Sequence, residues 1–244
     1  MRQLRDWGAG MLVGTAVALT ASCKGTERAE TAERAETSES VEGEDMARIR
    51  VINASPADRT VDVYAGDSAV FTGVAYRKAT PYREIPDDRF DFQLKPGPDA
   101  KPLAQNRENL SDGGHYTIVA LPDEGGADKR NLRVLNDELK PGSPDKARIR
   151  FINGVPGDND VDLYIEGRDA PLFDGVNFKN EAGWEEVDPM AGTLMVRPDN
   201  SRTPLATRLD VRLEGGKSYT FVAAGRPGKV DLIRVEDEVA KDPS

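Results

Sequence analysis

The chain has 244 residues, of which 38% are hydrophobic and 31% are charged, and its formal net charge at pH 7 is −10. This length accommodates two ordinary domains, and the apolar fraction is too low for a polytopic membrane protein. The acidic balance argues against nucleic-acid binding, because a phosphate backbone requires a basic surface. Cys23 and His115 are the one cysteine and the one histidine. These counts exclude an intrachain disulfide and a zinc site with several Cys or His ligands.

Residues 1–22 are typical of an export signal. Arg2 and Arg5 precede a short apolar stretch over residues 7–19, and a basic start followed by such a stretch describes a signal peptide. Small residues then lead to Cys23, in the order Thr20-Ala21-Ser22. This ending resembles the lipobox of bacterial lipoproteins, in which the thiol is acylated and the cysteine becomes the first mature residue. The resemblance implies that lipid on Cys23, such as palmitate, anchors the exported protein to a membrane.

Residues 23–46 are interpreted as the lipidated cysteine and an acidic tether. The segment is rich in Ala, Glu, Arg, Ser and Thr, so it cannot bury enough apolar surface to offset the entropy of ordering. We therefore predict a disordered, solvated spacer. Lys24, rather than an aspartate, follows Cys23, which by resemblance to the enterobacterial sorting rule indicates the outer membrane, at its periplasmic or cell-surface face.

A domain-sized internal repeat organises the remaining chain. The matching segments are Ala47–Asn53 with Ala147–Asn153, Val61–Tyr64 with Val161–Tyr164, Phe71–Val74 with Phe173–Val176, and Gly113–Ala120 with Gly215–Ala223. We place repeat 1 at residues 47–140 and repeat 2 at residues 146–239. The linker between them contains two prolines, which predicts a preferred relative orientation of the repeats.

Apolar residues alternate with polar ones inside each repeat, as Ile49 and Val51 do with Arg48 and Arg50. A period of two predicts β-strands with one face buried and the other in solvent. Turn signals separate seven or eight such strands in each repeat. The predicted fold class is therefore all-β, with two tandem antiparallel β-sandwich domains of the immunoglobulin-like kind.

Both repeats resemble the domain-of-unknown-function 4397 family. The resemblance rests on Arg-Val-Ile-Asn-Ala-Ser-Pro at residues 50–56, Val-Asp-Val-Tyr at residues 61–64, and a strand that begins Gly-Gly-x-Tyr-Thr. It covers residues 47–139 and 147–239 and implies exported β-rich domains, often lipoproteins or wall-attached, without an established activity. Ser55 has no serine counterpart in repeat 2, where Val155 occupies the position.

Asp62 and Asp162 lie mid-strand between apolar residues. Three interpretations are open: each carboxylate faces solvent, it accepts backbone N–H bonds from the loop at residues 55–56 or 154–156, or it is a functional group. Asp158, Asp160 and Asp162 form a second candidate, because carboxylates at alternate positions are found in calcium loops. The alternative is an acidic turn that enters a strand.

Four aromatic residues recur at equivalent positions, as Tyr82 with Trp184 and Tyr76 with Phe178. We predict that they fill matching core sites rather than bind sugars. His115 becomes Lys217 in repeat 2 and is interpreted as a lone surface histidine.

No nucleophile motif or phosphate loop stands out, so we predict neither catalytic residues nor a cofactor. The favoured function is a non-catalytic envelope lipoprotein that binds a protein or glycan, with Ser55, Pro56, Asp62 and Pro156 as a possible interaction loop. Three alternatives stay open: a calcium-dependent adhesin, a glycan or peptide hydrolase with a carboxylate pair, and a structural spacer without a ligand.

Overall fold

The computed structural model describes residues 45–124, 129–140, 142–157, 160–199, 201–226 and 228–237. Every regular element in these ranges is a β-strand, and the two repeats contribute eight each. The strands of repeat 1 are β1 (Met46–Asn53), β2 (Thr60–Ala65), β3 (Ser68–Ala75), β4 (Arg83–Pro86), β5 (Arg89–Lys95), β6 (Ala104–Asn109), β7 (His115–Pro122) and β8 (Arg130–Asn136). The strands of repeat 2 are β9 (Ala147–Gly154), β10 (Val161–Ile165), β11 (Phe173–Val176), β12 (Glu181–Val187), β13 (Met190–Pro198), β14 (Ala206–Leu213), β15 (Ser218–Arg226) and β16 (Lys229–Asp237).

Each repeat consists of two four-stranded sheets. In repeat 1 the sheet that faces repeat 2, here called the inner sheet, has the order β4-β1-β7-β8, and the outer sheet has the order β3-β2-β5-β6. Repeat 2 follows the same plan, with the inner sheet β12-β9-β15-β16 and the outer sheet β11-β10-β13-β14. The prediction of two all-β sandwich repeats is therefore confirmed. No helix in the described ranges has the length and apolar character needed to cross a membrane.

One strand pair in each inner sheet is parallel rather than antiparallel. Strand β1 runs parallel to β7, with Ile49 opposite Tyr116, and β9 runs parallel to β15, with Ile149 opposite Tyr219. The other pairs are antiparallel. The first strand of each repeat is thus held between β4 and β7, or β12 and β15, and cannot leave without opening the centre of the sheet.

The apolar side chains of the period-two pattern fill the space between the two sheets of each repeat. In repeat 1 this core includes Val63, Phe92 and Ile118, and the equivalent core of repeat 2 includes Leu163 and Phe221. All five side chains are fully buried. Each repeat therefore has its own hydrophobic core.

A third apolar cluster lies between the two inner sheets. It includes Ile52 and Val119 of repeat 1 and Ile152 and Val222 of repeat 2, which are buried although they point away from their own cores. The two repeats consequently belong to one compact unit, residues 43–244.

The prediction that one strand face meets solvent is therefore wrong for the inner sheets. Arg50 and Arg150, which alternate with core residues, are only 2% and 1% exposed. Alternation shows which residues share a face, but it does not show what covers the polar face. Strands buried on both faces read as continuous apolar runs, and β7 and β15 have this character.

Candidate functional site

Asp62 and Asp162 fasten the edge strand of each outer sheet. The Asp62 Oδ1 accepts a hydrogen bond from the backbone N–H of Gly73 at 2.7 Å, and the Asp162 Oδ1 accepts one from Gly175 at 2.8 Å. Both glycines have positive φ angles, 66° and 61°, beside register shifts in the pairing of β2 with β3 and of β10 with β11. These features describe a β-bulge whose extra residue must be glycine.

The predicted donors to these carboxylates were therefore wrong. The N–H groups come from the neighbouring strand and not from the loops at residues 55–56 and 154–156. Because Asp162 is only 3% exposed, burial raises the pKa of its carboxyl, a shift that the Gly175 N–H partly opposes and nearby Asp174 and Asp199 reinforce. Its ionised form is thus disfavoured by the fold.

Asn53 and Asn153 hold the same edge strands from the other side. Asn53 donates from Nδ2 to the carbonyl of Val74 at 3.0 Å and accepts the N–H of Ser55 on Oδ1 at 3.0 Å. Asn153 makes the corresponding bonds with Val176, at 2.8 Å, and with the N–H of Val155, at 2.9 Å. Because the Asn accepts a backbone N–H, the side chain at this loop position can differ, as serine and valine do.

Ser55 is fully buried and its Oγ donates to Asp58 Oδ2 at 2.5 Å. Asp58 also pairs with Arg130 of β8, whose Nη2 lies 3.0 Å from Asp58 Oδ1. The loop is thereby tied to the inner sheet. The side chain of Ser55 cannot itself touch a partner, whereas Pro56 is half-buried and Ala57 is exposed.

The acidic candidate in repeat 2 is only partly visible. Pro156 and Asp160 are half-buried, Asp162 is engaged by Gly175, and Asp158 lies outside the described residues, as does Cys23. In the described part of the chain, no three His, Cys, Asp or Glu side chains gather as a metal would require. Asp162, the buried carboxylate of this candidate calcium site, thus already accepts a hydrogen bond from the backbone.

The strongest cluster of charged groups lies between the repeats and was not predicted. Arg50 of repeat 1 pairs with Asp237 of repeat 2, and their side chains are 3% and 0% exposed. Arg50 also donates from Nε to Thr117 Oγ1 at 2.8 Å, while Thr220 Oγ1 lies 2.8 Å from Asp237 Oδ2. Each charged group is thus held by a threonine of its own repeat.

The reverse pair has the same composition. Arg150 of repeat 2 lies 2.5 Å from Asp137 of repeat 1, with side-chain exposures of 1% and 0%. Arg150 donates from Nε to Thr220 Oγ1 at 2.8 Å, and Thr117 donates to Asp137 Oδ2 at 2.6 Å. The two repeats therefore meet through equivalent residues, as the subunits of a two-fold symmetric dimer do. We call these four charged residues and two threonines the inter-repeat lock.

Tyr82 and Trp184 cover the arginines of the inter-repeat lock, so the prediction that they fill core sites is wrong. Arg50 lies 4.8 Å from the ring centre of Tyr82, and Arg150 lies 4.9 Å from that of Trp184. These are cation–π distances. The Tyr82 hydroxyl donates to Asp137 at 2.7 Å, and burial together with that carboxylate raises the pKa of the phenol far above its ordinary value.

Tyr76 and Phe178 also stand outside the two sandwich cores, again contrary to the prediction. Tyr76 packs on the inter-repeat apolar cluster and its hydroxyl lies 3.1 Å from Asp231 of repeat 2. Phe178 is half-buried beneath Lys179, whose Nζ is 4.9 Å from the ring centre. His115, half-buried, meets the Tyr82 ring edge-on at 5.4 Å, and its pKa is lowered by burial and by Arg48.

One sequence signal could have revealed the inter-repeat lock. Arginine, threonine and aspartate recur at the same places in both repeats, the last of them at the end of the repeat. A recurring arginine in the middle of a strand that borders a continuous apolar run indicates a charge that is buried and paired rather than solvated. What the sequence does not show is that the partner lies in the other repeat.

These observations define a class: a tandem all-β protein in which the recurring polar residues fasten strands and repeats together. The chain belongs to the family described as "Domain of unknown function (DUF4397)", whose pattern matches residues 47–154 and 147–244. No curated protein matches the chain.

Two solved structures match the chain weakly, each at 8% sequence identity. One is titled "The Bacillus anthracis TIE protein". The match has a TM-score of 0.23 and covers 73% of this chain and 34% of that chain. This chain thus spans about a third of the length of that protein. The other is titled "Alpha-glucan binding by a streptococcal virulence factor", with a TM-score of 0.24, covering 76% of this chain and 95% of that one.

Proposed function

We propose that this protein is a non-catalytic lipoprotein of the bacterial cell envelope, whose two repeats form one rigid unit that binds an envelope protein or glycan. The observation that carries the proposal is that the residues recurring in both repeats make their contacts inside the protein. Asn53, Asp62 and Arg50, with their counterparts in repeat 2, are all engaged in contacts within the protein. These residues stabilise the pair of repeats, which we call the platform, rather than contact a partner themselves.

The platform leaves two kinds of surface for a partner. The inner sheets are occupied by each other, so a partner would meet the outer sheets or the loops. On the outer sheets Gln105 and Thr207 are exposed at equivalent positions, and Ala57 is exposed beside the buried Ser55. The tyrosines of the outer sheets are less accessible, because Lys95 lies 4.9 Å from the ring centre of Tyr64 and Arg197 lies 4.3 Å from that of Tyr164.

The envelope location rests on the residues that precede the repeats. Small residues lead to Cys23 behind a basic and apolar start, and two or more acyl chains suffice for stable anchoring. Metabolic labelling with a palmitate analogue tests this part. We expect label and membrane fractionation in the wild-type chain, and neither in a Cys23→Ser variant. An unlabelled wild-type chain would exclude the lipoprotein.

Photo-crosslinking in intact cells tests the binding function. A photoreactive amino acid is placed in turn at Gln105, Thr207 and Ala57, with Ile52 between the inner sheets as the matched buried control. We expect at least one exposed position to capture a discrete envelope component that the Ile52 position does not capture. Equal yields at all four positions would contradict the proposal, and so would turnover of glycan or peptide substrates by the purified mature chain.

A further inference from the structure

Much of the inter-repeat contact is built from residues that recur in both repeats. Besides the inter-repeat lock, Ile52 matches Ile152 and Val119 matches Val222. This similarity does not by itself explain why repeat 1 pairs with repeat 2 rather than with a second copy of repeat 1. Repeat 1 offers to a second copy of repeat 1 the central contacts that repeat 2 offers to it, including a buried arginine and aspartate.

The faces differ in side-chain volume at several positions, and two of these lie on the central strands of the inner sheets or directly at their ends. Leu121 of repeat 1 corresponds to Ala224 of repeat 2, and Ala54 corresponds to Gly154. All these positions are fully or almost fully buried, and Leu121, Ala54 and Ala224 belong to the same apolar cluster. Repeat 1 therefore has the larger side chain at both positions.

The large side chain of one repeat occupies the space left by the small residue of the other. A Cβ atom added to Gly154 would lie 2.7 Å from Leu121 Cδ2, closer than side-chain carbons approach each other, and 2.7 Å from the carbonyl oxygen of Ala223. By the approximate two-fold symmetry of the contact, Ala54 faces Ala224. Gly154 is thus required both by the backbone of its own sheet and by Leu121 of repeat 1, whereas the Cβ of Ala54 faces the smaller side chain of an alanine.

We propose that Leu121 and Gly154 determine the pairing of the repeats, so that repeat 1 binds repeat 2 and rejects a second copy of repeat 1. Two copies of repeat 1 would bring Leu121 against Ala54 twice, which overpacks a close-packed contact. Two copies of repeat 2 would bring Ala224 against Gly154 twice and leave gaps. Only the mixed pair matches large with small at both ends.

A cut chain tests this proposal directly. A protease site is inserted between Pro144 and Asp145, which are both exposed, and two preparations carry different tags on repeat 1. The folded chains are cut, mixed, unfolded and refolded together. We expect each tagged repeat 1 to retain repeat 2 and not the differently tagged repeat 1. Mixed recovery of both tags from the wild-type chain would overturn the proposal.

Two variants of repeat 1 should lose this discrimination. Ala54→Gly provides space for Leu121 of a second copy, and Leu121→Ala reproduces the Ala54–Ala224 contact. We expect each to raise recovery of the second tag about tenfold, which corresponds to a modest change in pairing free energy. The matched control is Ala47→Gly, which removes the same methyl group from β1 but on the face toward the sandwich core.

The outcomes separate cleanly. An increase with Ala54→Gly or Leu121→Ala, and none with Ala47→Gly, supports the proposal. No increase with either variant, or an equal increase with the control, overturns it. Circular dichroism of the recovered halves verifies that every variant retains its strands, and the emission of Trp184 reports on repeat 2 separately.

Discussion

Arg50 and Asp237 form an ion pair with both side chains buried, although they are 187 positions apart in the sequence. The pair joins one repeat to the other. Arg150 and Asp137 form the equivalent ion pair with the roles of the repeats exchanged. A buried pair of this kind contributes little net stability compared with apolar residues of equal volume, but removal of one partner is costly because the other charge stays buried. The inter-repeat lock therefore penalises any arrangement of the repeats that leaves one of these charges unpaired.

The first prediction concerns that penalty. Asp237→Asn removes the ion-pair partner of Arg50 and leaves two buried arginines beside the single carboxylate of Asp137, and we expect the free energy of unfolding to fall by about 3–5 kcal/mol. Chemical denaturation followed by circular dichroism measures the change. Asp91→Asn is the matched control, because Asp91 pairs with Arg107 on the surface of the outer sheet, where solvent screens the charges. A similar loss in both variants would contradict the buried role of Asp237.

The second prediction concerns the glycine of the outer-sheet bulge. Gly175 has a φ of 61° and open space around its missing Cβ, so Gly175→Ala meets conformational strain and no clash. We expect a loss of about 1–2 kcal/mol, the ordinary cost of a left-handed conformation for an L-residue. Gly183→Ala is the control, since Gly183 also has open space but no positive φ. Equal midpoints for the two variants would show that the bulge is not constrained.

The third prediction concerns pH. Burial raises the pKa of Asp162, so the folded protein binds this proton more tightly than the unfolded chain does. The contribution of Asp162 to stability is then greatest below the unfolded pKa of about 3.9 and declines as the pH rises through the raised folded value. Asp162→Asn keeps an acceptor for the Gly175 N–H but does not ionise.

Denaturation midpoints of the wild-type chain and Asp162→Asn, measured at intervals from pH 3 upward, test this reasoning. We expect the wild-type midpoint to decline relative to the variant as the pH rises above about 3.9. A difference that is constant with pH would show that the carboxyl titrates as in the unfolded chain.

The fourth prediction concerns calcium. Because the Asp162 carboxylate already binds the Gly175 N–H, we expect neither calcium nor a chelator to move the melting temperature of the protein. Differential scanning calorimetry at constant ionic strength measures this. A melting temperature that rises with calcium concentration would instead support the calcium-dependent adhesin, provided that Asp160→Asn removes the rise.

The sequence predicted the strands well because their cores follow a period of two, as Ile49 and Val51 show. It predicted the wrong environment for Arg50, because the same pattern describes an arginine in solvent and one covered by a second sheet. The role of Asp62 was half predicted: a carboxylate between apolar residues suggested a backbone contact, but the donor, Gly73, depends on a bulge. A bulge shifts the register by one residue, and no local pattern announces where it falls.

The parallel pairing of β1 with β7 has a consequence for how the chain matures. Arg50 and Thr117, which this pairing brings together, are 67 residues apart, so the centre of the sheet cannot form until nearly the whole repeat has emerged. Closing such distant contacts is slow, since the entropy of the intervening loop is lost before the contacts compensate for it. A nascent polypeptide with this topology stays extended for longer, which would favour the export that we propose, because a translocation channel admits an unfolded chain.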